Sequence, residues 1–443
     1  MSQYKPYSAY KDSGVEWLGE VPEHWGLRKL KHMARFSGGG TPTRDNPEFW
    51  NGDIPWVSPK DMKSEFIMGA EECITAAGLA GSSSSMVPAE RVLMVVRSGI
   101  LKHTIPVAIN QVPVALNQDM KAIWLDSDYL SERFFLRWVQ GLNDDLLKVW
   151  LKQGATVESI EQEYLADTLM PVPPVREREH IVRYLDRETA RIDALVAKKT
   201  RLIELLREKR QALITHAVTK GLDPNVKMKD SGVEWLGEVP EHWELLPLKY
   251  VTPSLTVGVV VNPSDYVAEE GLPFLYGGDI GEGEIYAETA RRISQDDSER
   301  NAKTRLMTGD LVTVRVGAPG VTAVVPPECE GGNCASVMLI RRGHFESDWL
   351  CYVMNSRVVR YQVEVVQYGA AQEQFNISHA VDFLIPVPPR EEQAAIAFAL
   401  NQERKRVDAL LRKTEHSITL LKERRAALIT AAVTGQIDLR EAV

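Results

Sequence analysis

The sequence predicts an α+β protein. Two strand-rich α/β domains are separated by two long helices, paired as an antiparallel coiled coil about a pseudo-twofold axis. Three observations predict it. The first is an internal duplication. Residues 11–25 read KDSGVEWLGEVPEHW, and residues 229–243 read the same fifteen letters. LMPVPP at 169–174 returns as LIPVPP at 384–389, and in the ungapped pairing of 169–219 with 384–434, 26 of 51 positions are identical. A period of about 215 residues is too long for a solenoid and means two copies of one module. The second observation is helical periodicity after each proline motif. The third is that the stretches between the repeats diverge almost completely.

The helices follow from proline and from spacing. Proline is tolerated in the first turn of a helix and disfavours helix before it, so each PVPP marks a helix start. From Arg176 to Thr219 there is no Pro or Gly. Ile181, Leu185, Ile192, Leu195, Leu202, Leu206 and Leu213 fall at steps of three, four and seven. Ile396, Leu400, Val407, Leu410, Leu421 and Leu428 form the matching stripe, with Leu195 and Leu410 expected in the seam. Glu188 and Glu403 interrupt that stripe with charge, which can fix register. Each helix would be on the order of 65 Å long. Paired antiparallel, the two bury both stripes and make a rigid spacer.

The divergent inserts keep a faint skeleton. Ile54-Pro55-Trp56-Val57 with Asp61 matches Leu272-Pro273-Phe274-Leu275 with Asp279. Val96-Arg97-Ser98-Gly99 matches Val314-Arg315-Val316-Gly317, and Gly154-Ala155 matches Gly369-Ala370. Short β-rich runs at 92–97 and 311–316 lie between Gly, Pro and Asn turns. The segments are then an anchor at 1–25, a domain at 26–174, a long helix and linker at 175–228, the repeated anchor at 229–243, a second domain at 244–389 and a second long helix at 390–443. Repeated frames with divergent inserts suggest two equivalent docking surfaces and two different ligands.

Composition excludes several classes. The chain is 44% hydrophobic and 26% charged, as soluble globular proteins are. The start, 1–14, is polar and carries no secretory signal. No apolar run is long enough to cross a bilayer. Cys73, Cys329, Cys334 and Cys351 form no CxxC pair, which points to idle thiols in a reducing cytoplasm. There is no GxxxxGK[ST] phosphate loop, no Gly-rich dinucleotide loop and no Asp/Asn-Pro-Pro-Tyr run. Asp61-Met62-Lys63 and Asp119-Met120-Lys121 match the DxK fragment of some nucleases, but no acidic partner supports either. The net charge of −9 counts against DNA binding by bulk electrostatics, because phosphate neutralisation needs Lys and Arg.

Two domains, each opened by GVEWLGEVPEHW, closed by PVPP and followed by a long helix ending in LITxAVT, resemble the specificity subunits of type I restriction–modification systems. The endings here are LITHAVT at 213–219 and LITAAVTG at 428–435. GGTPTRDNPEFWNGDIPWVSPKDM, at 39–62, also looks like the opening of a recognition domain of that family. The resemblance covers nearly the whole chain. It implies two target-recognition domains, each reading one half of a bipartite double-stranded DNA target, with the helices setting the gap. It implies two methyltransferase subunits carrying S-adenosylmethionine, and restriction–translocase subunits using ATP and Mg. It implies no cofactor and no catalysis in this chain, no membrane, and a bacterial cytoplasmic location. A methylation-only relative and a coiled-coil scaffold that binds no DNA remain alternatives.

Base readout in the major groove favours Arg or Lys on guanine and Asn or Gln on adenine. The candidates in the first insert are Thr43, Arg44, Lys60, Lys63, Arg97, Lys102 and His103, with the serine run 82–85 as a loop to be ordered on DNA. Those in the second are Tyr276, Lys303, Arg305, Arg315, Arg341 and Arg342. Arg97 and Arg315 occupy one place in both halves, which argues for phosphate positioning or structure. Trp17, Trp25, Trp235 and Trp243 of the repeated anchor pack against helix ends or dock the methyltransferase, with packing favoured. His24 and His242 lie in the same segment. The anchor at 11–25 is expected to meet the C-terminal helix, and that at 229–243 the first helix.

Overall fold

The computed structural model describes residues 4–154, 156–368 and 373–441. The chain forms two units: Met1–Lys199 with His416–Val443, and Thr200–Glu415. The first long helix, Val175–Lys220, gives its start to the first unit and its end to the second, and the second long helix, Arg390–Val433, does the reverse.

In the first unit a five-stranded sheet runs in the order Ala34–Gly38, Met120–Leu125, Val92–Val95, Val107–Asn110, Phe66–Ile67. Its central strand, VLMV, is buried on both faces, which is why it reads as a continuous apolar run and not as an alternation. A three-stranded sheet joins Trp50–Val57 to Ala115–Leu116 in parallel and to Cys73–Ile74 antiparallel. Helix Glu132–Gly141, capped by Ser131 accepting from the Phe134 amide, buries Phe134, Phe135 and Trp138.

The second unit repeats this plan. Its four-stranded sheet runs Leu255–Val257, Met338–Ile340, Leu311–Thr313, Thr322–Val324. Leu272–Leu275 pairs in parallel with Asn333–Cys334 and antiparallel with Arg291–Ile293. The skeleton motifs coincide where it matters. Asp61 accepts from the Ser58 amide at 2.8 Å, and Asp279 from the Tyr276 amide at 2.8 Å. Of the Gly-Ala pairs read as equivalent, Ala155, Gly369 and Ala370 lie outside the described residues.

The anchors fold alike too. Tyr10–Asp12 pairs with Glu20–Pro22, and Met228–Asp230 with Glu238–Pro240. Strand Gly26–Lys29 then pairs with Leu169–Val172, and Glu244–Pro247 with Leu384–Val387. The first prolines of each PVPP therefore sit in short two-stranded sheets, and the helices begin just after the last.

Both long helices end on a glycine in the left-handed region, Gly221 at φ 77° and Gly435 at φ 74°. This is the usual C′ geometry, and here it also admits a close approach. A β-carbon on Gly435 would lie 2.3 Å from Pro22 and 3.2 Å from Trp25, and one on Gly221 would lie 3.4 Å from Trp243. The anchor at 11–25 thus meets the end of the second helix, and that at 229–243 the end of the first.

Within the second unit the helices run antiparallel. Arg207 pairs with Glu415 and Arg210 with Asp408, so numbers rise on one helix as they fall on the other. In the first unit Asp193 pairs with Arg425.

The seam differs from its reading in the sequence. Leu195 and Leu410 are 40% and 45% exposed, and Leu202 and Leu213 are exposed as well. The inward positions are Leu185, Thr189, Ile192, Val196, Lys199, Ile203 and Leu206 on the first helix, at alternating steps of four and three. Val407, Leu411, Thr414, Ile418 and Leu421 continue the same pattern on the second. Thr189 and Thr414 sit inside it, each hydroxyl donating to the carbonyl four residues back at 2.7 Å. The stripe of leucines drifts off the seam because a threonine, valine or lysine fills positions where an apolar count expects leucine.

Candidate nucleic-acid interface

The candidates fall in both units, and in the first they form two groups. In the first unit Thr43, Arg44, Lys60 and Lys63 gather with two acids. Arg44 pairs with Glu72 and lies 4.0 Å over Trp50, and Lys63 pairs with Glu71 at 2.7 Å. The hydrogen bond from Arg44 lowers the Glu72 carboxyl. Arg44 is thereby held by its neighbours, while Lys60 is exposed and its charge also acts on Glu72. The Thr43 carbonyl accepts from the Trp50 indole. Arg97, Lys102 and His103 form a second group along the turn Gly99–Lys102, all three exposed. Arg97 lies 3.7 Å from Asp119. Asp61 is spent on the turn, accepting from Ser58 and from the Glu71 amide.

Three expectations fail here. The serine run 82–85 is pinned, since buried Ser84 exchanges hydrogen bonds with the main chain of Leu116 at 2.9 and 3.2 Å. Arg97 and Arg315 are not equivalent. The Ile160 amide donates to Val96 and the Phe375 amide to Arg315, while those of Ser98 and Gly317 donate to Glu158 and Glu373. Arg97 therefore matches Val316, and a one-residue slip on a strand turns the side chain to the other face. Arg341 is no reader either. Its guanidinium donates to buried Asp310 at 2.6 Å and to the carbonyls of Arg305 and Lys303, holding three segments together.

Other second-unit candidates divide similarly. The Tyr276 hydroxyl is buried, and Arg291 lies 4.3 Å over its ring. This withdraws the hydroxyl from any base edge. Arg315 donates to the Phe375 carbonyl. Lys303 and Arg342 are exposed and Arg305 is half-buried.

The frame holds the residues that sequence reasoning missed. Glu177, in the first turn of the first long helix, accepts from Tyr7 at 2.5 Å and from the Trp25 indole at 3.0 Å, and pairs with His24 at 2.8 Å. In the second unit Glu392 accepts from the Trp243 indole at 3.1 Å and pairs with His242 at 2.8 Å. Trp25 and Trp243 are fully buried. Trp17 meets Trp138 edge-on, and Trp235 packs on Tyr361. The anchor tryptophans thus pack within their own units. The signal was present in the sequence: Glu177 and Glu392 coincide in the helix pairing, as His24 and His242 do in the anchor.

The cysteines play no visible part. Burial pushes the Cys329 thiol up to about 11 and those of Cys334 and Cys351 up to about 12, so all three stay protonated. No described helix is long and apolar enough to cross a membrane.

Residues 22–205 match the family described as the type I restriction modification DNA specificity domain. The chain is 35% identical over 203 residues to the EcoR124I/EcoR124II type I restriction enzyme specificity subunit of Escherichia coli, a match covering 45% of this chain and 49% of that protein. It therefore spans about half the length of this relative. A specificity subunit of Methanocaldococcus jannaschii, from the type I restriction enzyme MjaVIII, is 21% identical over 95% of this chain and 94% of its own. Among solved structures, a chain from a study of assembly and conformational transition of the type I R-M system superposes with a TM-score of 0.69 at 17% identity, covering 94% of this chain and 99% of that one. The HsdS subunit of Thermoanaerobacter tengcongensis gives 0.50 at 17% identity, covering 94% and 98%. At such identities the structural likeness speaks for the fold.

Proposed function

We propose that this chain is a specificity subunit of a type I restriction–modification system and reads a bipartite DNA target for a methylating complex. Each unit supplies one reader. The first presents Lys60, Arg97, Lys102 and His103, and the second Lys303, Arg305 and Arg342. The long helices set the unspecified gap between half-sites. Two methyltransferase subunits, carrying S-adenosylmethionine, dock on the repeated frame, and ATP- and Mg-dependent restriction subunits join them. This chain catalyses nothing itself and works in the bacterial cytoplasm.

The observation that carries this reading is a frame built twice with the same residues around two inserts whose exposed residues differ. Glu177 with His24 and Trp25, and Glu392 with His242 and Trp243, make that frame. Duplicated supports with unlike surfaces suit one kind of partner bound twice and two different half-sites. The acidic balance fits as well. Partner subunits can grip the phosphates while this chain supplies base contacts.

The test is genome-wide mapping of N6-methyladenine in cells carrying this chain with its neighbouring methyltransferase, against cells lacking this gene. A split motif present only with the chain is the expected outcome. No difference, with active methyltransferase confirmed, would overturn the reading in favour of a scaffold that binds no DNA.

A further inference from the structure

Two charged pairs between the long helices, one in each unit, survive the duplication. Asp193 corresponds to Asp408, and Arg210 to Arg425, in the pairing that matches the two PVPP motifs. In the first unit Arg425 lies 2.9 Å from Asp193, and in the second Arg210 lies 3.1 Å from Asp408. Each arginine also reaches a carboxylate of the insert in its own unit. Arg425 donates to Glu65 at 3.0 Å, and Arg210 lies 4.0 Å from Glu282.

The inserts differ in most of their exposed residues, yet they agree here. Glu65 stands four residues after the capping Asp61, and Glu282 three after its counterpart Asp279. The local structures differ, since Glu65 precedes strand Phe66–Ile67 while Glu282 sits between the short strands Ile280–Gly281 and Glu284–Ile285. The carboxylate has kept its place on the arginine although the backbone around it has changed.

Each insert adds a second arm. Arg137, only 5% exposed, donates to Glu65 at 2.6 Å and to Asp186 of the first long helix at 2.8 Å. Arg360 pairs with Glu282. Arg404 of the second long helix donates to the Gly283 carbonyl at 3.2 Å. Partly exposed ion pairs contribute little to stability one by one. Arg425, forked between Asp193 and Glu65, fixes orientation instead, because two donors must be satisfied at once, and Arg210 places its charge between Asp408 and Glu282.

We propose that Arg210 and Arg425 are positioning residues that lock each insert onto its helices and so set how strictly the gap between half-sites is read. This rests on the function proposed above. The reader touches bases, and the clamp decides where the reader is held. Loosening it changes the spacing accepted and leaves the bases accepted alone.

The test replaces each arginine, Arg425→Met and Arg210→Met, with Arg→Lys at both places as the conservative variants. N6-methyladenine is mapped across the genome and sorted by the gap between half-sites. The expected result is at least a tenfold rise of methylation at sites whose gap is one base pair longer or shorter, with both half-site sequences unchanged. The lysine variants, which keep the charge and lose the fork, should fall between. Methylation confined to the original gap in a fully assembled variant would overturn the proposal. Should the methionine variants fail to assemble, Glu65→Gln and Glu282→Gln remove one arm only and are read by the same criterion. Amide exchange around 62–67 and 279–285 gives a readout without DNA, and unchanged protection in the arginine variants counts against the clamp. A wild-type chain that directs no split motif would refute the function and not the clamp, which that exchange experiment then judges alone.

Discussion

The two units solve one problem with opposite emphasis. In the first, the carboxylate under the anchor is nearly sealed: the Glu177 side chain is 7% exposed and has three partners. In the second, Glu392 is 28% exposed and has, among the described residues, the histidine and the tryptophan as partners. The third partner, Tyr7, has no counterpart, since the anchor repeat places Asn225 there. Burial, and then the bond to Glu177, push the Tyr7 phenol well above its ordinary value, so it stays a donor. The helix pair shows the reverse emphasis. Ile203 and Leu411 of the second unit are each 9% exposed, whereas their counterparts Ile418 and Val196 in the first are only half-buried.

Connectivity accounts for the difference at the anchors. In the second unit the first long helix leads through Gly221 straight into the anchor along one backbone. In the first unit the two stretches that meet are far apart in sequence. Lys5 bridges to Asp438, Arg440 stacks on Tyr7, and Leu439 is buried. What chain continuity does at one junction, a main-chain bridge and packed side chains do at the other.

Three experiments press on this contrast, beginning with the largest effect. Trp25→Ala and Trp243→Ala each remove a fully buried indole, with an expected cost of about 3–5 kcal/mol. Denaturant unfolding should show comparable losses, and a loss under about 1 kcal/mol at either site would break the equivalence of the frames. Next, Ile203→Asp and Leu411→Asp place a charge in the tighter seam and should cost on the order of 3 kcal/mol. Ile418→Asp and Val196→Asp should cost visibly less. Leu195→Asp and Leu410→Asp should change stability by less than about 0.5 kcal/mol, as exposed positions do. A large loss at Leu195 would restore the seam as first drawn from spacing. The smallest effect is expected at the carboxylates. Glu177→Gln should cost about 1–3 kcal/mol and Glu392→Gln under about 1 kcal/mol. Equal melting shifts would mean that the Tyr7 bond adds nothing.

Much of this was legible in the letters, because duplication substitutes for comparison among relatives. The paired helices, the strand-rich inserts and the anchor tryptophans all follow from it. The seam was legible only in part, since counting leucines overlooks Thr189 and Thr414, whose hydroxyls satisfy themselves on the helix and so can be buried. The readers were least legible. Arg341 and Lys60 look alike in sequence, yet one grips buried Asp310 and the other is exposed. Nothing local separates them, because Asp310 lies thirty-one residues before Arg341. The match of Arg97 with Arg315 failed for a related reason. Strand register is set by partners elsewhere in the sheet, not by the letters of the strand.

The division of the chain has a consequence for synthesis on the ribosome. Thr200–Glu415 is one uninterrupted stretch, while the unit begun first is completed only by His416–Val443. At roughly 5–20 residues per second, Met1–Lys199 waits on the order of 10–40 s for the helix end that covers Trp25. During that interval the later-made unit can close, and the earlier one stands open with the Pro22–Trp25 surface uncovered. The order of completion is thus the reverse of the order of translation, and the nascent first unit is where a chaperone would find exposed apolar surface.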